Sequence, residues 1–502
     1  MKLENLLEGL SCNLVYGSKA ISNPPIDDIV YDSRKATPNT VFVAIPGETV
    51  NGHKFIGSAY DNGCRVFVVS EDTDVPEDST KIQVKDSRKA LSKISATFFG
   101  NPTKKLTITG ITGTKGKTTT TTLLRNVVAK GNRKTGVIGT NGIFFNDKTI
   151  PTKNTTPESY ELQKTFKTML DDGVDTVFME VSSSGLMMNR VNDIDFDIAV
   201  FTNISPDHIG PKEHATFEDY MECKTRLFRM TKTAIINSDD PKAPTFIKVA
   251  EESGAKIITY GFQGTPTYLA TDIDYSASFS HLESHFTLID TLINESIRYI
   301  SPNPGEFSVY NCLSVIAVAR ELGMKHDEIT EAMKTASVPG RVEVINRVPG
   351  AHIILDYAHN GVSLENILKT MKLYNPKRLI CLFGSIGGRA FIRRKDMANV
   401  TIKYADITII TTDNPDNEDP EAILDDLQSY YTDYKGQLFR EVDRETAIHM
   451  AVNMLQPGDI LVVAGKGHEN YQIINGKKVP FDERGIILEA AEEKASSMEN
   501  AQ

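Results

Sequence analysis

Between Ile108 and Leu124 the chain runs ITGITGTKGKTTTTTLL, and this stretch constrains the fold more than any other. A short β-prone run, Leu106 to Ile108, passes through Gly110, Gly113 and Gly116 into Lys117, Thr118 and a helix-compatible tail. Such a strand–loop–helix unit cradles phosphate. Glycines let the backbone curl round an anion, loop N–H groups and the helix N-terminus point at phosphate oxygens, and Lys117 adds positive charge. Thr118 places a hydroxyl where Mg²⁺ would sit. The strict form of the motif has glycine where Ile111 stands, so the strand before the loop and the helix after it carry the assignment. The plain alternative is a strand-to-helix turn with no ligand.

A phosphate loop demands an α/β core with a parallel sheet, and 502 residues exceed one such core. We expect three domains: a small N-terminal α/β domain over residues 1–103, a central P-loop ATPase-like domain over 104–338, and a C-terminal Rossmann-like domain over 339–502. The N-terminal part alternates short apolar runs with polar turns: Val41 to Ile45, Cys64 to Val69 and Lys81 to Val84. Residues 271–300 alternate like a β-meander, and Gly305-Glu306-Phe307 opens a helix containing Asn311. The third unit has buried-strand runs at Ile353 to Leu355, Leu379 to Phe383, Ile407 to Ile410 and Ile460 to Val463, each followed by polar or glycine-rich residues. Ligands gather at such strand ends. The polar C-terminal tail should fray.

Charge narrows the class of partner. Fifty-five basic against 66 acidic residues give a net charge of −11, which argues against a duplex nucleic-acid binder. Cys12, Cys64, Cys223, Cys312 and Cys381 are scattered and odd in number, as expected of reduced thiols in the cytoplasm. No apolar run approaches membrane-spanning length, so membrane insertion is not expected.

Two residues call for partners that the sequence does not name. Val174 to Val181 is a buried-strand run carrying Glu180 near its C-terminal end, and a carboxylate there is costly to bury alone. Glu180 is thus a candidate Mg²⁺ ligand, with a structural ion pair as the alternative. On the helix after His208, Lys224 shares a face with Phe217, Tyr220, Met221 and Phe228. From pattern alone, a snorkelling stem with its ammonium in water is at least as good an account.

Taken in order, these motifs resemble the Mur ligase family across nearly the whole chain. The family's T-G-T-(N/K)-G-K-T loop is Thr112 to Thr118, its M-E-V-S-S is Met179 to Ser183, and its T-N-x-S-x-D-H is Thr202 to His208. G-R-x-E is Gly340 to Glu343, D-Y-A-H is Asp356 to His359, and A-G-K-G-H-E is Ala464 to Glu469. The likeness is greatest to members that add the third residue of the peptidoglycan stem peptide. It implies ATP and Mg²⁺ as cofactors, a UDP-N-acetylmuramoyl dipeptide and an amino acid as substrates, and a cytoplasmic monomer. Gly113, Thr114, Lys115, Gly116, Lys117, Thr118 and Thr119 would take the ATP phosphates, Asn311 the adenine, and Arg341 and Asp356 would meet ATP from the third domain. Thr118, Glu180, His208 and Lys224, the last as a carbamate, would serve two Mg²⁺ ions, and Lys117, Glu180, His208 and Lys224 would form the catalytic group. Ser33, Glu48, Thr49 and Val50 would hold the uridine end. Asn154, Thr155, Thr156, Ser182 and Arg190 would bind the muramoyl dipeptide.

Arg389, Asp413, Asn414, Asp416, Gly465 and Glu469 match the amino-acid site. Family members that add meso-diaminopimelate carry D-N-P-R, whose arginine grips the distal carboxylate; here Asp416 takes that place. An acid repels a distal carboxylate and attracts a distal ammonium, which points to L-lysine. L-Ornithine differs from it by one methylene, worth only about 1–3 kcal/mol in a pocket. The chain departs from the family at Ser184, where histidine is usual, at Met188, and at Ile209-Gly210-Pro211-Lys212 and Ala390. The same ligation with meso-diaminopimelate, a folylpolyglutamate synthetase-like ligase and a non-catalytic nucleotide-binding module are the other readings.

Overall fold

The computed structural model describes residues 1–47, 50–206, 209–210, 214–277, 282–388 and 391–499. Glu48, Thr49, His208 and Arg389, four of the expected site residues, lie outside the described residues. The chain divides into two compact units, Met1–Tyr260 and Gly261–Gln502.

The first unit holds two sheets. Strands β1 (Asn13–Tyr16), β2 (Asp28–Val30), β3 (Thr40–Val43), β4 (Val66–Val69) and β5 (Thr80–Gln83) lie in the order β1-β5-β4-β3-β2, parallel except for the β1/β5 pair. The second is built round β6 (Thr107–Thr112), which leads into the phosphate loop and the helix Lys117–Lys130. It continues with β7 (Thr135–Gly139), β8 (Gly142–Phe145), β9 (Lys148–Ile150), β10 (Thr176–Glu180), β11 (Phe196–Phe201), β12 (Thr231–Asn237) and β13 (Lys256–Gly261). β6 sits centrally between β10 and β11, parallel to both. All five residues of β10 are buried, and Val177, Phe178 and Met179 form the apolar run expected of a parallel strand covered on both faces. Full burial of residues such as Phe178 and Met179 stabilises by about 1.5–3 kcal/mol each. β7, β8 and β9 form an antiparallel extension.

The second unit begins with an antiparallel meander, β14 (Tyr268–Ala277), β15 (Leu282–Asp290) and β16 (Glu295–Ser301), as the alternation over 271–300 requires. The helix Glu306–Glu321 follows, and Asn311 lies on it. A six-stranded sheet contains β17 (Glu343–Ile345), β18 (His352–Asp356), β19 (Leu379–Ser385), β20 (Ile407–Thr412), β21 (Gln437–Arg440) and β22 (Ile460–Ala464), in the order β17-β18-β22-β19-β20-β21. All its pairs but β17/β18 are parallel, so the carboxyl ends of β18, β19, β20 and β22 share one edge. A small hairpin, β23 (Tyr471–Ile474) and β24 (Lys477–Pro480), completes the strands.

Up to residue 499 the polar C-terminal segment, expected to fray, is helical. Residues Glu483–Glu499 form a helix that buries Ile487, Ala490 and Ala491 against the sheet's apolar face. Apolar residues spaced by three and four among many acids made this segment look polar overall. All five cysteines are free thiols, four of them buried. Among the described residues no helix is long and apolar enough to cross a membrane.

Candidate active site

In the first unit the phosphate loop is tied down by its own strand neighbours. Gly113 has φ +148°, and a Cβ there would fall 2.0 Å from Thr202 Oγ1. Thr202 Oγ1 donates to Lys115 O at 2.7 Å, and Asn203 accepts from Lys115 N through Oδ1 at 3.0 Å. Thr114 N donates to Asn203 O. Gly116, at φ +88°, caps the following helix, so Lys117, Thr118 and Thr119 form its first turn. Lys117 Nζ donates to the carbonyls of Gly113 at 2.8 Å and Thr114 at 3.1 Å.

Glu180, 1 % exposed, receives three donors. Thr118 Oγ1 donates to Oε1 at 3.0 Å, Thr140 N to Oε1 at 2.9 Å, and Thr140 Oγ1 to Oε2 at 3.2 Å. Among the described residues its hydrogen-bond partners are hydroxyls and an amide, not a cation, so no ion pair there explains its burial. Thr118 Oγ1 and the Glu180 carboxylate together supply the hard oxygen donors that Mg²⁺ takes. Among the described residues no group of three or more His, Cys, Asp and Glu stands ready for a metal.

Lys224 is 2 % exposed and does not snorkel. Its Nζ donates to Gly113 O at 3.1 Å and sits 4.6 Å from the centre of the Tyr220 ring. The carbonyl of Gly113 therefore receives both Lys117 and Lys224. Tyr220, expected only as an apolar-face residue, brings its hydroxyl within 3.2 Å of Thr114 Oγ1. Its helix is short, Phe217–Thr225, and tightens into a 3₁₀ turn at Arg226–Arg229.

The residues expected to bind the dipeptide cluster near Glu180. Thr156 Oγ1 donates to Glu180 O at 2.9 Å, accepts from Ser182 N and lies 3.1 Å from Ser182 Oγ. Thr155 Oγ1 is 3.0 Å from Thr140 Oγ1. Arg190 donates to Thr156 O and to Glu158, which also receives Arg88 at 3.1 Å. Asn154 instead lines a cavity of about 640 Å³ with Asp28, Tyr31, Phe145, Tyr160 and Glu161. Across it Tyr31 donates to Glu161 at 2.7 Å and Tyr160 to Asp28 at 2.6 Å. Burial and these carboxylates push both phenols far above their ordinary values. Ser33 is buried, its carbonyl accepting from Asn62, whereas Val50 is exposed.

In the second unit the strand ends gather two groups. Around Gly340, Arg341 stacks on Tyr357 at 4.5 Å, and Val342 N donates to Asp356 Oδ2 at 2.8 Å. Burial raises the Asp356 carboxyl, and Arg341 opposes that rise. Tyr357 also faces His468, whose imidazole burial holds down at about 4, with Arg341 adding to the effect. Asn311 belongs to this unit, half-buried on its helix.

The second group lies beyond β20 and β22. Asp413, 4 % exposed, and Asn414 both accept from Lys466 Nζ, at 3.1 and 3.0 Å. Glu469 Oε2 lies 3.5 Å from the same ammonium, while Oε1 accepts from Tyr357 OH. Gly465, at φ +125°, sits against Asp413; a Cβ there would fall 3.2 Å from Oδ2. Asp416 adopts φ +53°, a left-handed backbone that Asp tolerates. Its Oδ1 accepts from Gly476 N at 2.9 Å and from Asn417, so the carboxylate also caps the β23–β24 turn. Two partners of this edge had no signal of their own in the sequence. Arg444 is fully buried and donates to the last carbonyls of both strands, Thr412 O and Ala464 O, with Glu483 as its counter-ion at 2.6 Å. Lys466 lies inside the Ala464–Glu469 motif, where nothing in the sequence marks its ammonium for burial.

Comparison with known proteins agrees along the chain. Residues 25–99 match the Mur ligase family catalytic domain, 111–319 the Mur ligase middle domain, and 340–467 the Mur ligase glutamate ligase domain. A UDP-N-acetylmuramoyl-L-alanyl-D-glutamate--2,6-diaminopimelate ligase of Clostridium perfringens is 39% identical, covering 98% of this chain and 100% of the relative. One of Bacillus velezensis is 39% identical, covering 97% and 98%. A solved structure bearing the same ligase name superposes with a TM-score of 0.72 at 30% identity, covering 94% of this chain and 95% of the other.

Proposed function

The chain belongs to the Mur ligase family of ATP-dependent amide ligases, and from that premise we propose that it joins a diamino acid to the γ-carboxylate of D-glutamate in UDP-N-acetylmuramoyl-L-alanyl-D-glutamate. In this reading residues 1–103 hold the uridine end, 104–338 the ATP and 339–502 the amino acid. The observation that carries it is the convergence on the phosphate loop: Lys117 and Lys224 on one carbonyl, with Thr118 bonded to Glu180.

A free carboxylate cannot be aminated directly, because an oxide anion would have to leave. The γ-carboxylate oxygen attacks the γ-phosphorus of ATP, the bond to the β-phosphate oxygen breaks, and ADP departs. The amine then attacks the acyl phosphate carbonyl through a tetrahedral intermediate, and phosphate leaves. Here the protein mainly positions groups and neutralises charge. Lys117, freed from the loop carbonyls, would meet the phosphates. Mg²⁺, when bound, offsets the charge gathered by carboxylate and triphosphate, with Thr118 and Glu180 holding it. His208 and a carbamylated Lys224 are the proposed ligands of a second ion. Arg341 and Asp356 would join the nucleotide on closure about Gly340.

For the amine we propose L-lysine. Asp416 stands where an arginine would hold a second carboxylate, and its charge favours a distal ammonium. The names of the relatives favour a second reading, meso-diaminopimelate. ADP release that requires the UDP-dipeptide and a diamino acid together tests the common reaction; ADP release with neither would contradict it.

A further inference from the structure

We propose that Lys466 is a positioning residue of the amino-acid site, an assignment that rests on the ligase reading above. Lysine with no solvent exposure is rare, and its ammonium must be matched by buried acceptors. Lys466 is 0 % exposed, and its Nζ is met by Asp413 Oδ1, Asn414 Oδ1 and Glu469 Oε2. These three hydrogen-bonding and ion-pair partners come from the loops at the ends of β20 and β22; the ammonium also lies 5.9 Å from the centre of the Tyr471 ring and, with Arg444, adds to the positive field at buried Glu483. A purely structural cation would anchor strand to helix, as Arg444 does through Thr412 O, Ala464 O and Glu483. With Arg444 already holding the strand ends, Lys466 is left to orient side chains.

The orientation is specific. Lys466 occupies Oδ1 of Asp413, while Oδ2, facing Gly465, has no hydrogen bond among the described residues. Tyr357 and Lys466 divide the two oxygens of Glu469 between them. Asn414 Oδ1 also accepts from Ile473 N at 2.9 Å, so the same ammonium sets the hairpin β23–β24 against the loop. Lys466 thereby fixes how Asp413, Asn414 and Glu469 are presented to an incoming amine without touching it.

The test separates the two halves of the reaction. Hydroxylamine intercepts an acyl phosphate as a hydroxamate, expelling phosphate, and needs no amino-acid pocket. Lys466→Gln, and Lys466→Met beside it, should form hydroxamate within twofold of the wild-type rate with ATP and UDP-dipeptide. Ligation of L-lysine should show a KM raised tenfold or more. Asn414→Ala, which leaves the buried ion pair intact, should give a smaller loss of the same kind. Hydroxamate and ligation falling in parallel would overturn the assignment, as would an unchanged KM. Wild-type protein forming no hydroxamate would overturn the ligase reading and this assignment with it.

Discussion

Lys224 Nζ donates to the carbonyl of Gly113 at 3.1 Å, joining a helix that follows β11 to the loop that follows β6. The contact places a buried amine on the phosphate loop, where a carbamate would add an anion beside the metal. Lys224→Ala should lower kcat on the order of 10²-fold or more. Wild-type activity should fall reversibly when dissolved CO₂ is stripped and return with bicarbonate. Rates insensitive to CO₂ would remove the carbamate from the mechanism.

Glu180→Gln keeps an acceptor for Thr118 and Thr140 but removes the charge. The fold should survive with a thermal midpoint close to wild type, while kcat drops on the order of 10²–10³-fold and the Mg²⁺ requirement shifts to higher concentration. A variant with unaltered Mg²⁺ dependence would show that Glu180 is not a ligand.

Gly139 gives a geometric version of the same test. A Cβ there would sit 2.3 Å from Glu180 Oε1, so Gly139→Ala must turn the carboxylate away from Thr118. We expect activity reduced at least tenfold with ATP still bound, measured by nucleotide titration beside turnover. Full activity would mean the carboxylate can move without consequence.

His468 makes stability pH-dependent. Burial, aided by Arg341, holds its imidazole at about 4 against an ordinary 6.5. Between those values the unfolded chain binds the extra proton and the folded protein does not, so stability rises with pH across the window and falls as pH drops from 6.5 toward 4. Solvent reaches part of the ring, which limits the effect to on the order of 1–2 kcal/mol. Urea midpoints of wild type and His468→Asn at pH 7 and pH 4.5 check this: wild type should lose more stability than the variant on acidification.

The phosphate loop, Glu180, Lys224 and the strands that carry them were legible because each is a local pattern: a glycine spacing, a carboxylate in an apolar run, a cation on an apolar face. Their partners were not. Thr140 reaches Glu180 from the end of β7, and Tyr220 reaches Thr114, by folding across tens of residues, with no sequence signal in either. Lys466 was visible only as part of a glycine-rich motif, and its role depends on Asp413 arriving from β20. Asp416 was read for its charge alone; its φ of +53° and its bond to Gly476 N show that it also shapes a turn. The helix Glu483–Glu499 reads as polar in the sequence because its apolar stripe, Ile487, Ala490 and Ala491, is narrow.

One assay tests both the ligase activity and its choice of amino acid. Purified protein is given ATP, Mg²⁺, UDP-N-acetylmuramoyl-L-alanyl-D-glutamate and equal amounts of L-lysine, L-ornithine and meso-diaminopimelate, and products are weighed by mass spectrometry. Asp416→Asn, which retains an acceptor for Gly476 N without the charge, runs alongside. Wild type should form the lysine product in excess over the diaminopimelate product, and the variant should lose part of that preference. A dominant diaminopimelate product would contradict the reading of Asp416, and no ATP-dependent product with any of the three would contradict the function itself.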